Sequence, residues 1–490
     1  MTALYKRGRC VYAGCGGILA LLVATHAGPA WGGGFATARF GSEHGHAASD
    51  HVTTIYYNPA GLARGEGTRV YAEGLFAYRT ASYERPSGAI DRVVEDGESA
   101  AGTPAAAQDA NAGRAELSDV ITTPFVGVAS DLGIDNLGVG AGLYVPLGGS
   151  ASWSQNEAFA GNDAYPGAVD GVQRWHVIEG EQRYLYVTAG GAYHVPALDL
   201  TLGAGLSAVQ SEVNTIRART ASGTDDMVTG GGELVEGRSL VQVDDITLAL
   251  GAGAMWDPVD ELTVGLSYQS SPGFGEMGLS GTVTNQFGAG EPTPVDVVLE
   301  QTLPDIVRLG AAYRLPRAEL RFAGDYQRWS RFERQCLVRD EPGARCAITD
   351  TGAADGDAGG QGIVVNLPRD FRDTFGVRAG GSYWVTPPAE LFASLGYDSS
   401  AIPDETLDPT VIDMPKVAAT AGLRYTLPDD RLALMAGLTQ VFYADRSTEP
   451  RPRGDDGQPV APSAPSRNPD GAGDYSQSIS LATIGVEGRF

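Results

Sequence analysis

The chain has 490 residues, with 35 Lys plus Arg against 60 Asp plus Glu, so its formal net charge is −25. This acidic balance argues against a nucleic-acid partner, because neutralising phosphates requires clustered Lys and Arg. Its 67 glycines and 28 prolines break helices and exclude a helical bundle. The composition therefore indicates a large all-β protein.

The N-terminus has the three-part layout of a secretory signal peptide, which we place at residues 1–32. Basic residues near the start precede an apolar stretch rich in small residues over 11–24, and small residues surround a cleavage site within 30–33. Beyond residue 25, no stretch approaches the roughly 18 to 20 apolar residues that a membrane-spanning helix needs. The exported chain is therefore either soluble or a membrane barrel whose apolar residues alternate with polar ones.

Residues 33–67 form a different kind of segment, rich in Gly, Ala and Ser and without a period-two apolar face. The sequence Asn-Pro-Ala-Gly at 58–61 favours a turn. A segment of this size cannot fold alone, so we predict that it is a plug, or hatch, inside a barrel. His44, His46 and His51 suggest a metal site, but nothing in the sequence supplies a helix or hairpin to hold them. We therefore expect histidines that face a polar lumen and no bound metal.

Strands with one apolar face follow from residue 68 to the C-terminus. Leu200, Leu202 and Leu206 fall on one face of their segment, and small or polar residues fall on the other. Such period-two alternation predicts half-buried β-strands. The apolar faces are aliphatic in the middle and aromatic near an end, as in lipid-facing barrel strands. The fourteen candidate strands are 68–84, 118–131, 136–148, 182–195, 198–212, 243–257, 260–271, 303–316, 319–333, 371–386, 389–399, 416–427, 430–443 and 477–490.

The connections between these strands alternate in length. Long polar loops at 85–117, 149–181, 213–242 and 334–370 alternate with tight turns such as Asp-Pro-Val-Asp at 257–260. Long loops on one side, short turns on the other and an even strand count are typical of outer-membrane barrels. Closure also removes unpaired strand edges, which lipid does not tolerate. The sequence therefore predicts an all-β fold, a 14-stranded antiparallel transmembrane β-barrel over 68–490 with the hatch in its lumen.

The chain ends in Phe490, preceded by apolar residues two positions apart. This ending resembles the terminal-strand signature of bacterial outer-membrane proteins, which the barrel assembly machinery recognises. It predicts that machinery as a partner and a multi-pass β-barrel in the outer membrane of a Gram-negative-type bacterium.

Cys336 and Cys346 are the only cysteines outside the signal peptide, and they lie in a polar, glycine-rich segment. In an oxidising compartment, such a pair predicts one disulfide that closes a loop. A metal or redox site is the alternative, but the pair lacks a close Cys-x-x-Cys spacing and a nearby histidine. We therefore predict a Cys336–Cys346 bridge in an extracellular loop.

Three segments, together with the terminal Phe, resemble the FadL family of outer-membrane transporters for long-chain fatty acids and hydrophobic compounds. The first runs from Gly-Phe-Ala at 34–36 to the turn at 58–61, like the family's hatch, and the second, 138–148, is similar to its third strand. The third segment runs from Leu-Pro-Asp at 303–305 to 325–332 and is similar to its eighth and ninth strands. The resemblance implies a plugged 14-stranded barrel whose substrates leave sideways, into the membrane, through a gap at a kinked third strand.

From this resemblance we expect a hydrophobic substrate to land on the long loops, to enter an apolar lumen pocket and to leave beside the third strand when the hatch moves. Glycines at 138, 140 and 142 leave the lumen face of that strand without bulk, and glycines inside strands mark bends. The alternative is that they make room for the plug. The residues that we assign to this path are Phe35, Asn58, Pro59, Ala60, Gly138, Gly140, Gly142, Trp153 and Phe159.

Five arginines lie on the polar faces of candidate strands. We expect them to line the lumen and to pair with Asp and Glu, and contact with a substrate carboxylate is the alternative. They are Arg308, Arg314, Arg321, Arg378 and Arg424.

No catalytic constellation occurs in the sequence, so we expect a transporter and not an enzyme, with no cofactor. The partners that we expect are a fatty acid-like hydrophobic molecule and outer-membrane lipid, with the protein a monomer. The alternative functions are a non-specific porin, which needs no hatch, and a barrel lipase or protease, which needs Ser/His or Asp/His sets.

Overall fold

The structure is a computed structural model. The residues that it describes are 39–95, 98–288, 290–346, 362–454 and 468–490. The predicted signal peptide, its cleavage site and Phe35 lie outside these residues. Among the residues that are described, no helix is both long enough and apolar enough to cross a membrane.

The chain folds into a closed antiparallel sheet of fourteen strands, as the sequence predicts. The strands are β1 (Thr68–Arg85), β2 (Gly113–Ser130), β3 (Leu137–Ser152), β4 (Glu179–Val195), β5 (Leu200–Arg219), β6 (Gly237–Val259), β7 (Leu262–Gln269 and Glu276–Gln286), β8 (Thr293–Thr302 and Ile306–Leu315), β9 (Ala318–Gln327 and Arg334–Arg339), β10 (Ile363–Pro368 and Thr374–Thr386), β11 (Ala389–Asp398), β12 (Lys416–Thr426), β13 (Leu432–Tyr443 and Arg446–Thr448) and β14 (Gly473–Arg489). Successive strands pair along the chain, and β14 pairs with β1 from Arg69↔Arg489 to Glu84↔Asp474. This last pairing joins the two ends of the sheet and so closes the barrel.

The outer surface of the barrel is apolar toward the short turns. On β6, Leu248 and Leu250 point outward and are exposed, whereas Ala249 between them is buried in the lumen. Exposed aromatic side chains border this belt on both sides, as they do at the two interfaces of a membrane barrel. They include Tyr193, Trp256 and Tyr313 toward the short turns and Tyr268, Tyr326 and Phe375 toward the long loops.

Above this belt the alternation is reversed. On the outer part of β6, Val241 and Val243 are buried on the lumen side, and Gln242 and Asp244 face outward. The reversal follows from the surroundings, because water surrounds the barrel here and an apolar space lies inside it. The outer parts of β7 and β8 continue this pattern.

The sequence predicts connections and loops where the outer strand parts lie. They are short, and irregular segments at 270–275, 303–305, 328–333 and 369–373 separate them from the membrane part of the same strands. We predicted strands from an apolar outer face. The outer parts escape this criterion, because the alternation is first interrupted and then reversed there.

Residues 39–67 lie in the lumen as the hatch. They contain the 3₁₀ helix Ser42–His44, the α-helix α1 (Thr54–Tyr57) and the 3₁₀ helix Pro59–Arg64. The Asn58 side chain accepts a hydrogen bond from the backbone N–H of Ala60 at 3.1 Å and so caps the last helix. Its Nδ2 donates to the carbonyl of Ala47 at 2.6 Å and to that of Ala254 on β6 at 3.1 Å. Asn58 therefore joins two parts of the hatch to the wall.

The long loops form a cap over the outer end of the barrel. Arg85 and Arg174 are buried in it and bind Asp225 at 2.6 Å and Glu236 at 3.0 Å, respectively, which ties the loops together. Cys336 and Cys346 are joined by a disulfide. The cap elements are the 3₁₀ helices Ser87–Ala89, Ala105–Ala110, Glu157–Phe159, Pro166–Asp170, Val172–Trp175 and Asp404–Thr406 and a parallel pair of short strands, Val93–Val94 and Thr103–Pro104. Other 3₁₀ helices, at Pro196–Leu198, Pro272–Phe274 and Trp329–Arg331, lie in a turn or in strand interruptions.

The position of the membrane on β6 is testable with one substitution and a matched control. Leu248→Arg places a charge on the lipid-facing belt and should destabilise the inserted barrel by about 2–4 kcal/mol. Gln242→Arg, on the same outward face but above the belt, should change stability by less than about 1 kcal/mol. Urea unfolding from lipid vesicles measures both, and equal losses would contradict the assigned belt.

Candidate functional site

The hatch packs against glycines on most strands of the barrel. A Cβ atom added at Gly310 would lie 2.7 Å from the backbone nitrogen of Ala48, and one at Gly265 would overlap the carbonyl oxygen of Ala47. Only a residue without a side chain allows the hatch backbone to approach the wall this closely. The lumen-facing glycines that contact the hatch are Gly127, Gly138, Gly140, Gly142, Gly190, Gly203, Gly253, Gly265, Gly310, Gly380, Gly396 and Gly437.

The three glycines of β3 that we assigned to the substrate path belong to this set. Added Cβ atoms at Gly138 and Gly140 would collide with Leu62, and one at Gly142 would lie 3.0 Å from Ile55. Pro59 and Ala60 likewise lie against the wall, at Gly203 of β5. The structure therefore places these residues in the contact between hatch and barrel.

Charged groups of the wall hold the hatch in place. Asp398 binds Arg39 at 2.9 Å, Glu390 binds His44 at 2.8 Å, and Asp257 binds Arg64. The carboxylate of Glu73 accepts the backbone N–H of Gly41 at 2.8 Å. The hatch thus contributes mostly donors, and the wall contributes carboxylates.

The lumen arginines divide into two groups. Arg314, Arg321 and Arg424 pair with glutamates, as expected from the sequence. Arg308 instead donates to Gln269 at 3.0 Å and lies over the ring of Tyr56. Arg378 donates to the carbonyl oxygen of Gly45 at 2.7 Å. Among the described residues, no carboxylate lies within ion-pair distance of Arg308 or Arg378.

The barrel wall is broken between β2 and β3. Their backbone pairing runs from Ser130↔Val139 to Phe125↔Tyr144 and then stops, and it resumes at the isolated bridge Leu117↔Trp153. Between these points Ser150 donates a side-chain hydrogen bond to Asp119 at 3.0 Å. Pro124 and Pro146 lie beside the point where pairing ends, and proline lacks the N–H that a strand ladder needs.

A bulge in β3 accompanies the break. Tyr144 pairs with Tyr186 and Leu147 with Tyr184, so β3 has one residue more than β4 at this point. Residues 144–148 are all buried, which shows that the strand turns inward here. The family resemblance implied a gap at a kinked third strand, and the break lies on this strand. The sequence pointed to Gly138, Gly140 and Gly142 as its cause, whereas these glycines contact the hatch and the break lies beside two prolines.

Three cavities lie between the hatch and the cap side of the barrel. The central chamber, about 180 Å³, has an apolar side with Leu75, Val441 and Ile479 and a charged side with Arg39 and Asp398. It also touches Thr123, which pairs with β1 and lies on β2 beyond the last residue that pairs with β3. The break therefore lies beside this chamber.

The upper chamber, about 90 Å³, lies beneath the cap, and Gly149 and Ser150 line it from the part of β3 that borders the break. A smaller outer pocket of about 30 Å³ shares His176, Arg217 and Thr410 with it. The aliphatic lining of the upper chamber consists of Val177, Val213, Val241, Val283, Leu299, Leu337, Val365, Leu367, Val411 and Ile412.

A fourth cavity lies on the opposite side of the hatch. This periplasmic vestibule, about 410 Å³, is lined mainly by polar groups that include His44, Asp50, Arg64 and His194. His46 lines both the vestibule and the central chamber, so the hatch is thin at this residue.

Trp153 and Phe159, which we expected near the landing site of the substrate, are both buried. Trp153 closes the upper end of the break through its bridge to Leu117. Phe159 packs with Trp175 and Met227 in the cap. The structure therefore separates these two residues and exposes neither ring to solvent.

A closed membrane barrel with an internal hatch and apolar chambers defines the class of plugged outer-membrane transporters. The family model "Outer membrane protein transport protein (OMPP1/FadL/TodX)" matches residues 27–459, and the chain belongs to this family. The resemblance to FadL is thereby confirmed, together with the outer-membrane location. The family consists of channels that transport hydrophobic molecules and not of enzymes.

Solved structures agree on the fold. A Pseudomonas aeruginosa FadL homologue matches with a TM-score of 0.71 at 16% identity, over 94% of this chain and 100% of that chain. The P. putida toluene transporter TodX matches with a TM-score of 0.59 at 16% identity, over 90% and 94%. The Ralstonia pickettii toluene transporter TbuX matches with a TM-score of 0.58 at 15% identity, over 93% and 98%. No curated protein sequence matches the chain.

Two glycines of β6 test the contact between hatch and wall. A methyl group at Gly253 overlaps the Asn58 side chain, whereas one at Gly251, two residues away on the same face, meets nothing within 4 Å. Gly253→Ala should therefore loosen the hatch, at a cost of about 1–3 kcal/mol, and raise ion conductance in planar bilayers. Gly251→Ala should conduct like the wild type, and a tight Gly253→Ala barrel would contradict the proposed packing.

Acid should also loosen the hatch. Burial lowers the pKa of His51 to about 3 and that of His46 well below its ordinary value of 6.5. Both rings are therefore neutral in the docked hatch, and protonation favours release. Docking stability should be constant above about pH 6.5 and fall below it, by about 1.4 kcal/mol per pH unit for each histidine, until the docked pKa is reached.

Hydrogen exchange of hatch amides between pH 7 and pH 4 measures this effect after correction for intrinsic exchange rates. His51→Gln should remove about one proton from the pH dependence. A hatch whose protection does not depend on pH, or an unchanged slope in His51→Gln, would show that these rings do not control docking.

Proposed function

We propose that the protein transports long-chain fatty acids, which bind in its lumen chambers and leave sideways into the membrane through the break between β2 and β3. The break itself is the observation that carries the proposal, because the central chamber reaches it at Thr123. On the outer surface beside it, Phe76 and Val120 are exposed and apolar. An opening here leads from an apolar cavity to lipid and does not pass through water.

The energetics of an acyl chain favour such a route. Each CH₂ group prefers an apolar site over water by about 0.8 kcal/mol, so release of a long chain into the periplasm is strongly unfavourable. A non-specific porin needs an open aqueous lumen, whereas here the hatch fills the lumen and is held by buried contacts. These features favour the transfer of a hydrophobic molecule from one binding pocket to the next.

The lining of the upper chamber favours a flexible aliphatic substrate. Its apolar residues are Val, Leu, Ile and Ala, and no Phe, Tyr or Trp of the described chain lines it. The solved relatives TodX and TbuX are toluene transporters, but their identities to this chain are too low to carry over a substrate. Arginines beside the chamber, Arg79, Arg217 and Arg369, match a carboxylate better than a hydrocarbon.

Deleting Pro146 tests sideways release. Because β3 has one extra residue at the bulge, this deletion restores the register with β4 and keeps every other side chain on its present face. The ladder between β2 and β3 should then continue past Phe125 and close the break. Uptake of radiolabelled oleate by a host without its own fatty acid transporter should fall roughly tenfold or more. A tenfold fall corresponds to an increase of about 1.4 kcal/mol in the activation free energy of transport.

Pro146→Ala is the matched control, since it keeps the extra residue and therefore the bulge. It should transport oleate at close to the wild-type rate. Both variants should insert normally and bind oleate in detergent. Normal uptake by the deletion variant would refute sideways release and point to a path through the thin part of the hatch at His46.

A further inference from the structure

Basic side chains meet at the neck between the outer pocket and the upper chamber. Arg217, Arg369 and His176 surround it, and Arg451 lies at the outer pocket. Asp408 and Asp470 pair with Arg369 and Arg451, and Glu405, which also lines the outer pocket, lies 3.9 Å from Arg372. Burial lowers the pKa of His176 to about 3, so this ring is neutral and the arginines supply the positive charge of the neck.

Several donors at the neck lack a partner. Nη2 of Arg369 and Nε2 of His176 are buried and have no hydrogen bond among the described residues. Arg217 donates only to Asn468, at 3.3 Å, and no carboxylate of the described chain lies within ion-pair distance of it. Buried donors without acceptors are costly, so they indicate a place where an acceptor binds.

One acceptor is already present, and it belongs to a loop of the cap. Oδ2 of Asp408 lies 2.9 Å from Nη1 of Arg369 and 4.0 Å from Nδ1 of His176. Burial raises the pKa of Asp408, but the charge of Arg369 outweighs this effect and keeps the group ionised. The loop is fixed at the same place by two further hydrogen bonds, from Thr406 to the Arg369 carbonyl at 2.6 Å and from Thr410 to the His176 carbonyl at 3.3 Å.

We propose that the neck is a binding site for the carboxylate head group of an amphiphilic substrate, and that Asp408 occupies this site when no substrate is bound. The incoming carboxylate replaces Asp408 on Arg369 and accepts hydrogen bonds from the free donors of Arg369, His176 and Arg217. The loop around Asp408 is then released from the neck. The acyl chain then enters the aliphatic upper chamber below. This inference rests on the proposed function for the nature of the substrate.

Exchange of one carboxylate for another has a physical advantage over opening an empty site. A buried guanidinium that loses its only carboxylate is strongly destabilised. During the exchange Arg369 stays paired, so the loop opens without exposing an uncompensated charge. A neutral molecule of equal length cannot replace Asp408, and the loop therefore discriminates against it.

Binding of dodecanoate and of 1-dodecanol to the purified protein in neutral detergent tests the exchange. Asp408→Asn removes the internal competitor and should raise the affinity for dodecanoate roughly tenfold, with no change for 1-dodecanol. Arg217→Met should lower the affinity for dodecanoate to a similar extent and leave that for 1-dodecanol unchanged. Hydrogen exchange at 407–410 should rise when dodecanoate binds and not when 1-dodecanol binds.

Asp404→Asn is the matched control. This substitution removes a carboxylate from the same loop, together with its contact with Arg446. Unlike Asp408, Asp404 does not bind Arg369. If Asp404→Asn raises dodecanoate affinity as much as Asp408→Asn does, or if Asp408→Asn favours both ligands equally, the effect is loosening of the loop and the exchange is refuted. Equal wild-type affinities for the two ligands would refute the head-group site, and failure of both ligands to bind would refute the proposed function itself.

Discussion

A plug can pack tightly inside a barrel only where the wall leaves room for its backbone, and here glycines provide that room. They face the hatch from most strands, and several would collide with hatch backbone if they carried even a methyl group. The hatch in turn depends on this fit, because it has little regular structure of its own and several of its donors bind carboxylates and a carbonyl of the wall. With the lumen closed at this level, a substrate needs another way out, and the break between β2 and β3 is located just above the hatch.

The reversal of the side-chain alternation divides the same strands into two functional parts. In the membrane part, apolar residues face lipid and polar residues face the hatch. Above it, apolar residues face inward and form the upper chamber, while polar residues face water. The break lies near this transition, beside exposed apolar residues such as Val120. A molecule that leaves the chambers there passes from one apolar environment to another.

The sequence predicted the strand count and the hatch because lipid imposes a uniform rule on every strand, and the hatch is the segment that does not follow it. It did not predict the outer strand parts, where the rule is reversed. A gap at the third strand was expected from the family resemblance alone, and its physical cause was assigned to glycines, since Pro124 and Pro146 act only together, through pairing of two strands. The neck was beyond reach for a similar reason: Arg369 and Asp408 are distant in sequence, and only the folded cap brings them together with His176. Trp153 and Phe159 looked like exposed loop aromatics but serve as buried packing groups.

The most direct test of the account is to locate a substrate in transit. A fatty acid with a photoreactive group at its tail can be added to the protein in lipid bilayers, irradiated, and its attachment sites identified by mass spectrometry. Sideways release predicts labels at the edges of the break, on residues 120–124 of β2 and 145–149 of β3. Labels on the vestibule side of the hatch, at His46 or Arg64, with none at the break, would contradict it.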